Sequence, residues 1–324
     1  SSGLFVDRQM IDYLAYDIYG NVIDQTIERY DELDSLIDYK VIHNTYDDVL
    51  AARRGNATHS TITRYADLAK TLEIERQEIY NNSFDSRGNI VDQVIELYVS
   101  GNMAKKTVIK NSNIDNLGNA ANQEITSFIY NPVTLVADIE TLHQEILNRT
   151  FDSDSNVKNQ LVKNYLDSTK VLLLDIQEIR NELFDTRGNV LTQKIATFSS
   201  DWTLLDVKVI TNEGLDALGN ARLVTIKKYA SGSVDAQGYI QYSDFMDTTV
   251  IETTSFDLRG NALVQTVRKY SNESTIDSTT LIETQAIENQ PYDFMDRATR
   301  STITTTNSSG LFVDRQMIDY LAYD

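Results

Sequence analysis

Residues 1–17, SSGLFVDRQMIDYLAYD, return unchanged as residues 308–324, an offset of 307 positions. A match of that length does not arise by chance, so any fold of this chain has to carry the same seventeen residues in two places. Between the copies runs a shorter period, legible once Gly-Asn pairs are used as anchors. Its clearest copies are FDSRGNIVDQVIELY (84–98), FDTRGNVLTQKIATF (184–198) and FDLRGNALVQTVRKY (256–270). Weaker ones are YDIYGNVIDQTIERY from Tyr16, IDNLGNAANQEITSF from Ile114, LDALGNARLVTIKKY from Leu215 and FDSDSNVKNQLVKNY from Phe151. AARRGNATHSTITRY from Ala51 and YDFMDRATRSTITTT from Tyr292 are degraded. The glycine positions of these nine copies lie 30 to 41 residues apart and fill the 307-residue offset without remainder. The expected organisation is one period over 1–307 and the start of the next over 308–324. The longest gap holds a partial extra copy, VDAQGY, from Val234.

The centre of each unit, DxxGN, supplies an Asp to bond nearby amides and a Gly for a positive φ, the chemistry of a tight hairpin turn. The expected turn residues are Gly20 and Asn21, Gly55 and Asn56, Gly88 and Asn89, Gly118 and Asn119, Gly188 and Asn189, Gly219 and Asn220, and Gly260 and Asn261. Flanks such as TVIKN, VKVITN, QVIELY and QTVRKY are rich in Val, Ile, Thr and Tyr, as strands are. Upstream of the turn an IxN pattern recurs, at Ile109 and Asn111, Ile179 and Asn181, Ile210 and Asn212, and Ile287 and Asn289. TLVADIETLHQEILNRT and KVLLLDIQEIRNEL can be read as amphipathic helix, but the same slots in other copies read as strand, and equivalent repeats should share structure. The fold class is therefore all-β: tandem hairpins of about 34 residues stacked into a continuous coiled sheet or solenoid-like superhelix. Stacking should align Tyr30, Tyr65, Tyr98, Phe128, Tyr165, Phe198, Tyr229 and Tyr270 in an aromatic row, and Ile27, Ile62, Ile95, Ile125, Ile195 and Ile226 in an aliphatic one. The Gln and the Ile two residues later share a face, whereas the aromatic lies opposite unless a bulge intervenes.

YDIYGN, FDSRGN, FDTRGN and FDLRGN resemble the signature of YD repeats, the Rhs-type family. The resemblance implies hairpins coiled into a continuous sheet around a hollow shell, with a passenger domain inside. An unchanged copy after 307 residues suits an open, continuing superhelix better than a closed shell.

Chemistry is sparse. The 29 Lys and Arg against 48 Asp and Glu leave a net charge of −19, which opposes nucleic acid. With no cysteine there is neither a disulfide nor a thiolate metal site, and no apolar run approaches the roughly 18 to 20 residues of a membrane span. HExxH, GxSxG and P-loop patterns are missing, and His43, His59 and His143 read as solvated or packed residues. No enzyme activity and no cofactor are expected. DSDSN offers Asp152, Asp154 and Asn156 as a calcium-loop start, but Val157 stands where such a loop has its Gly and Lys163 where it has its last acid, so a hairpin turn is the better reading. The acidic turns as a group allow weak calcium binding. The motif residues Asp17, Asp85, Asp115, Asp152, Asp185, Asp216 and Asp257 read as turn formers, Arg87, Arg187 and Arg259 as partners of a neighbouring unit's acid, and Trp202 as packing. Sequons at Asn56, Asn81, Asn148, Asn272 and Asn307 permit glycan attachment, and STITTTNSS (301–309) reads as an exposed strand or an O-glycan tract.

The function these features point to is structural, a repeating segment of an extracellular or cell-surface filament whose partners are further copies of the same repeat. The alternatives are an adhesin stalk, whose one aromatic-rich insertion is Val234–Met246 with Tyr239, Tyr242 and Phe245, and an Rhs-like shell.

Overall fold

Each Gly-Asn turn is flanked on both sides by residues that favour extended backbone, and each finds its pairing partner close in sequence. The structure, a computed structural model describing residues 7–320, contains nineteen antiparallel strands and one short helix among the described residues. The chain divides into two compact units, the first running to Glu145 and including Leu166–Lys170, the second formed by Ile146–Tyr165 and the chain from Val171.

In the first unit β1 (Asp7–Tyr16), β2 (Val22–Asp31), β3 (Leu36–Thr45), α1 (Val49–Arg54), β4 (His59–Tyr65), β5 (Glu73–Phe84), β6 (Ile90–Val99), β7 (Asn102–Ile114) and β8 (Ala120–Asn131) succeed one another. From β1 to β8 every strand pairs with the next in sequence. Strand β9 (Val136–Phe151) contributes to both units. The second unit continues with β10 (Val157–Tyr165), β11 (Leu173–Phe184), β12 (Val190–Phe198), β13 (Leu204–Leu215), β14 (Ala221–Val234), β15 (Ile240–Phe256), β16 (Ala262–Tyr270), β17 (Leu281–Asn289), β18 (Arg300–Asn307) and β19 (Phe312–Asp319), again paired in sequence order. The two ambiguous segments are the strands β9 and β11.

The register repeats with the sequence. In six hairpins the upstream Ile faces the downstream one, Ile42↔Ile62, Ile79↔Ile95 and Ile109↔Ile125 in the first unit and Ile179↔Ile195, Ile210↔Ile226 and Ile287↔Ile303 in the second, while Ile251 faces Val267. The aliphatic row is therefore a row of cross-strand pairs, each contributing about 0.2 to 1 kcal/mol. At the aromatic row the ladder slips: a register shift falls immediately before Tyr30, Tyr65, Tyr98, Tyr165, Phe198, Tyr229 and Tyr270. The bulge rotates the ring relative to the Gln and Ile ahead of it. Cations from the neighbouring strand cover several rings, with Arg8 over Tyr30, Arg76 over Tyr98 and Lys106 over Phe128 at 4.9, 4.6 and 4.5 Å.

One repeat departs from the hairpin pattern. AARRGN does not form a tight turn but the end of α1. Asp48 caps its N-terminus by accepting from the Ala51 N–H, Arg53 and Arg54 occupy the last turn, and Gly55 closes it with φ 76°. Ala51 and Ala52 are buried where a hairpin turn would have been exposed.

Interiors are thin and partly polar. Most strand residues are half-buried, and the first unit encloses the ion pair Arg29–Asp38, its carboxylate only 1% exposed and bonded by both Nη2 (2.6 Å) and Nε (3.3 Å). Such a pair persists in the interior because each charge satisfies the other. In the second unit Ala196, Val207, Tyr229 and Ile240 form the buried apolar cluster. Ile240 arrives there because β14 and β15 extend past their neighbours as a long hairpin whose end turn, Asp235–Tyr239, folds onto β10 and β11. Asn159 donates to the Gly238 carbonyl at 3.1 Å, and Arg180 lies 3.8 Å from the centre of the Tyr239 ring. The VDAQGY copy is thus a true turn.

Candidate functional site

If the chain is a structural array, its working parts are the groups that join one repeat to the next. Three sets do so, and each begins with a motif residue.

The first is the turn. In FDSRGN the Asp85 N–H donates to the Asn89 carbonyl (2.9 Å) and the Gly88 N–H to the Asp85 carbonyl (3.0 Å). One Asp85 carboxylate oxygen accepts from the N–H groups of Arg87 and Asn89, and the other from the Asn89 side-chain amide. The same arrangement recurs at Asp17, Asp115, Asp152, Asp185, Asp216 and Asp257. This environment favours the ionised form. The Asn89 amide holds the Asp85 carboxyl well below the usual range, the Asn119 N–H lowers that of Asp115, and the Asn156 amide lowers that of Asp152. Gly20, Gly88, Gly118, Gly188, Gly219 and Gly260 all have positive φ, and Ser155 and Asp296 adopt the same conformation where the glycine is lost. In DSDSN both Asp152 oxygens are engaged within the turn, and among the described residues no three His, Asp or Glu gather closely enough to hold a metal.

The second set joins turn to turn. The Asn of one repeat lies against the Gly of the next, whether it follows a turn or, as at Asn56, the end of α1: a Cβ at Gly88 would stand 2.6 Å from Asn56 Nδ2, at Gly188 2.7 Å from Asn156 Oδ1, and at Gly260 2.8 Å from Asn220 Oδ1. Asn56 Nδ2 donates to the Gly88 carbonyl at 2.9 Å, and Asn21 Nδ2 to that of Ala52 at 2.6 Å. The motif arginines act alongside. Arg87 donates to the Ile114 carbonyl and to Asn116, Arg187 to the Asp216 carbonyl, and Arg259 to the Asp293 carbonyl. Only Arg259 also meets a neighbouring unit's acid, Asp296 at 3.2 Å. For Arg87 and Arg187 the partner expected from sequence, a carboxylate of the next unit, is replaced by a backbone carbonyl of its turn.

The third set lies within the sheet and gives the IxN pattern its role. Asn111 Nδ2 donates to the Ile90 carbonyl in the preceding repeat, and its Oδ1 accepts from Gln123 of its own repeat. Asn44, Asn81, Asn181, Asn212 and Asn289 reach back in the same way to Val22, Ala57, Val157, Val190 and Ala262. Gln93 and Gln160 bond the carbonyl oxygens of Asn81 and Asn148. Each Asn thus ties its own hairpin to the one before.

A second row of turns, on the opposite side of the strands, carries the same hydrogen bonds without the Gly-Asn anchor. Asp31, Ser199 and Asn307 start these turns, and Asp34, Trp202 and Gly310 take the positive φ. The available signal is an Asp, Asn or Ser five residues before the first residue of the next strand. Trp202 therefore serves as a turn residue, its ring 5.8 Å from that of Phe198.

The sequons separate by environment. Asn148 is 4% exposed, and Asn56 and Asn81 commit Nδ2, the atom a glycan would take, to ladder bonds. Asn272 is exposed, and Asn307 uses Oδ1 rather than Nδ2 for its turn. His43 and His59 bond Asp24 and Glu78, and His143, 3% exposed, bonds Thr126.

The duplicated segment can now be followed on its two sides. Within β1, Ile11 pairs with Ile27 of β2; within β19 its copy Ile318 pairs with Ser301 of β18. Ser301 stands at the Gln position of its repeat. Inner strands show both pairings at once: Ile109 faces Gln93 before it and Ile125 after it, and Ile287 faces Gln265 and Ile303. The two copies therefore show, one side each, the register of an ordinary inner strand.

No protein-family profile matches the chain, and no curated protein does either. Among solved structures it is similar to TcdB2-TccC3 without its hypervariable C-terminal region (11% identity, TM-score 0.17) and to TcdB2-TccC3 (10%, 0.14). These alignments cover 92% and 95% of this chain but only 21% and 22% of the others. At such scores the likeness assigns neither family nor function. No helix among the described residues is long and apolar enough to cross a membrane.

Proposed function

We propose that the chain is an architectural segment, one period of a tandem hairpin array forming an extracellular or cell-surface filament. What carries the reading is the duplicated strand, whose copies at β1 and β19 supply the two halves of one inner-strand register. Three features of the repeats support it: the turn ladder, the arginine staples and the Asn–Gln ladder each join a hairpin to its neighbour, as nearest-neighbour stability in a solenoid requires. The charge of −19 keeps neighbouring filaments apart at low ionic strength. Zero cysteine content fits an extracellular fibre. In the insertion named for the adhesin-stalk reading, Tyr242 and Phe245 pack on Tyr229 at 4.4 and 5.9 Å, while Tyr239 and Tyr242 keep exposed faces.

The test is an electron cryo-microscopy structure of a chain carrying two consecutive periods. An unbroken β18, β19, β2 ladder at the join supports the array; a break in the sheet there rejects it. The shell alternative requires instead a closed particle around a passenger domain.

A further inference from the structure

Stability in a solenoid passes from each repeat to the next, yet β14 and β15 carry contacts that skip repeats. β14 pairs with β13 only as far as Tyr229, and β15 with β16 only from Thr248. Beyond those points the two strands pair with each other alone, from Ser231↔Ser243 to Val234↔Ile240. Where this extension begins, the ladder slips between Lys228 and Tyr229 and Asp244 takes a φ of 58°, so the hairpin bends at a bulge and a left-handed non-glycine residue. It then lies over the sheet face. A Cβ at Gly232 would stand 2.8 Å from Val207 Cγ2 of β13, and Lys194 of β12 lies 5.5 Å from the centre of the Tyr242 ring. A Cβ at Gly238 would stand 2.4 Å from Glu178 Oε1 of β11 and from Asn159 Oδ1 of β10. We infer that residues 230–244 are a hinged strap that, when closed, binds β10 to β15 into one cooperative block and, when open, uncovers their shared face.

The face beneath the strap is open to solvent in another repeat. Asn159 directly precedes the Gln of its repeat and is 0% exposed, whereas Val264 in the same position is 39% exposed. Apolar burial holds the strap closed, with Ile240 against Ala196, Val207 and Tyr229. The bond from Asn159 Nδ2 to the Gly238 carbonyl and the Arg180 guanidinium over the Tyr239 ring fasten its tip. Against closure stands Asn159 Oδ1, buried with no hydrogen-bond partner among the described residues. Water reaches that acceptor when the strap lifts, so opening relieves a desolvation cost that closing imposes. These opposed terms, together with the bend at Asp244, suit a part that moves as a unit. Because its contacts run from β10 to β13, none of those strands can leave the sheet without breaking some of them.

The test is hydrogen exchange read by mass spectrometry on the 324-residue chain. Tyr239→Ala takes the ring from Arg180 and leaves the apolar cluster intact. It should speed exchange about tenfold in residues 230–244 and in β10 to β12 alike, with β17 and β18 unchanged. The chain has no cysteine, so Asn159→Cys together with Gly238→Cys gives a single disulfide at the tip of the strap. The oxidised form of that variant should exchange more slowly than its reduced form in the strap and in β11 and β12, which carry neither substitution. Unchanged exchange in β11 and β12, either in Tyr239→Ala or on oxidation, overturns the inference, as does an equal change in β17 and β18. The contacts lie within one chain, so the outcome leaves the array reading untouched.

Discussion

Gly88→Ala should be more damaging than Gly20→Ala, and the difference should depend on Asn56. Both glycines have left-handed φ, 93° and 86°, so each alanine bears the strain of that region, about 1–2 kcal/mol. At Gly20 nothing further is met. At Gly88 the new Cβ would stand 2.6 Å from Asn56 Nδ2, forcing that amide away from the Gly88 carbonyl it bonds. Losing a hydrogen bond of this kind costs about 0.5–1.5 kcal/mol, which puts Gly88→Ala at about 1.5–3.5 kcal/mol. Asn56→Ala removes the obstruction and the bond together, so Gly88→Ala on that background should fall to the Gly20→Ala value. Urea titration of the four proteins of the Asn56/Gly88 cycle, with Gly20→Ala alongside, measures the coupling. Equal effects at Gly20 and Gly88, or strict additivity in the cycle, would refute the turn ladder as an inter-repeat contact.

Asn111→Ala leaves the Ile90 carbonyl and the Gln123 amide without their partner. It should destabilise by about 1–3 kcal/mol in urea, more than the exposed turn change Arg87→Gln, at under about 1 kcal/mol. For pH the sign follows from the lowered carboxyls of Asp85, Asp115 and Asp152. Their contribution is complete above the unfolded value of about 3.9 and is lost as pH falls through the lower folded values. Circular dichroism melts should therefore be steady from neutral pH to about pH 5 and decline below about pH 4; a decline beginning near neutrality contradicts the assignment. If the chain is made in a glycosylating host, mass spectrometry of the folded product should find sugar at Asn272 and Asn307 and none at Asn148; modified Asn148 in folded protein contradicts its placement in the interior.

What was legible in the sequence was local chemistry. FDSRGN encodes its turn within six residues, because the Asp that accepts and the amides that donate are all inside the motif. The IxN pattern was visible, but its purpose was not, since the carbonyl that Asn111 bonds lies 21 residues earlier, on another hairpin. In sequence the arginines point to a neighbour's carboxylate, because charge is visible there and a backbone carbonyl is not. At AARRGN the Gly-Asn anchor misled: Asp48, the basic last turn and a left-handed Gly55 are also helix-cap chemistry, and two small alanines let a helix pack where a turn would stand off. The turns at Asp31 and Ser199 carry no glycine to mark them, because Asp34 and Trp202 adopt the left-handed conformation there. Val234–Met246 reads as an aromatic insertion free to bind, yet Ile240 and Phe245 of it pack with Val207 and Tyr229 in the second unit's core, a contact that no repeat pattern contains.

The central claim is that the duplicated strand belongs inside a sheet with a neighbour on both edges. Hydrogen exchange on a chain of two consecutive periods measures this directly, because the inner copy of SSGLFVDRQMIDYLAYD and the outer ones differ only in position. The account predicts that the amides matching Arg8 to Asp12 in the inner copy are protected as strongly as those of β7 or β11, while the outer copies exchange faster. An inner copy that exchanges as fast as the outer ones contradicts it.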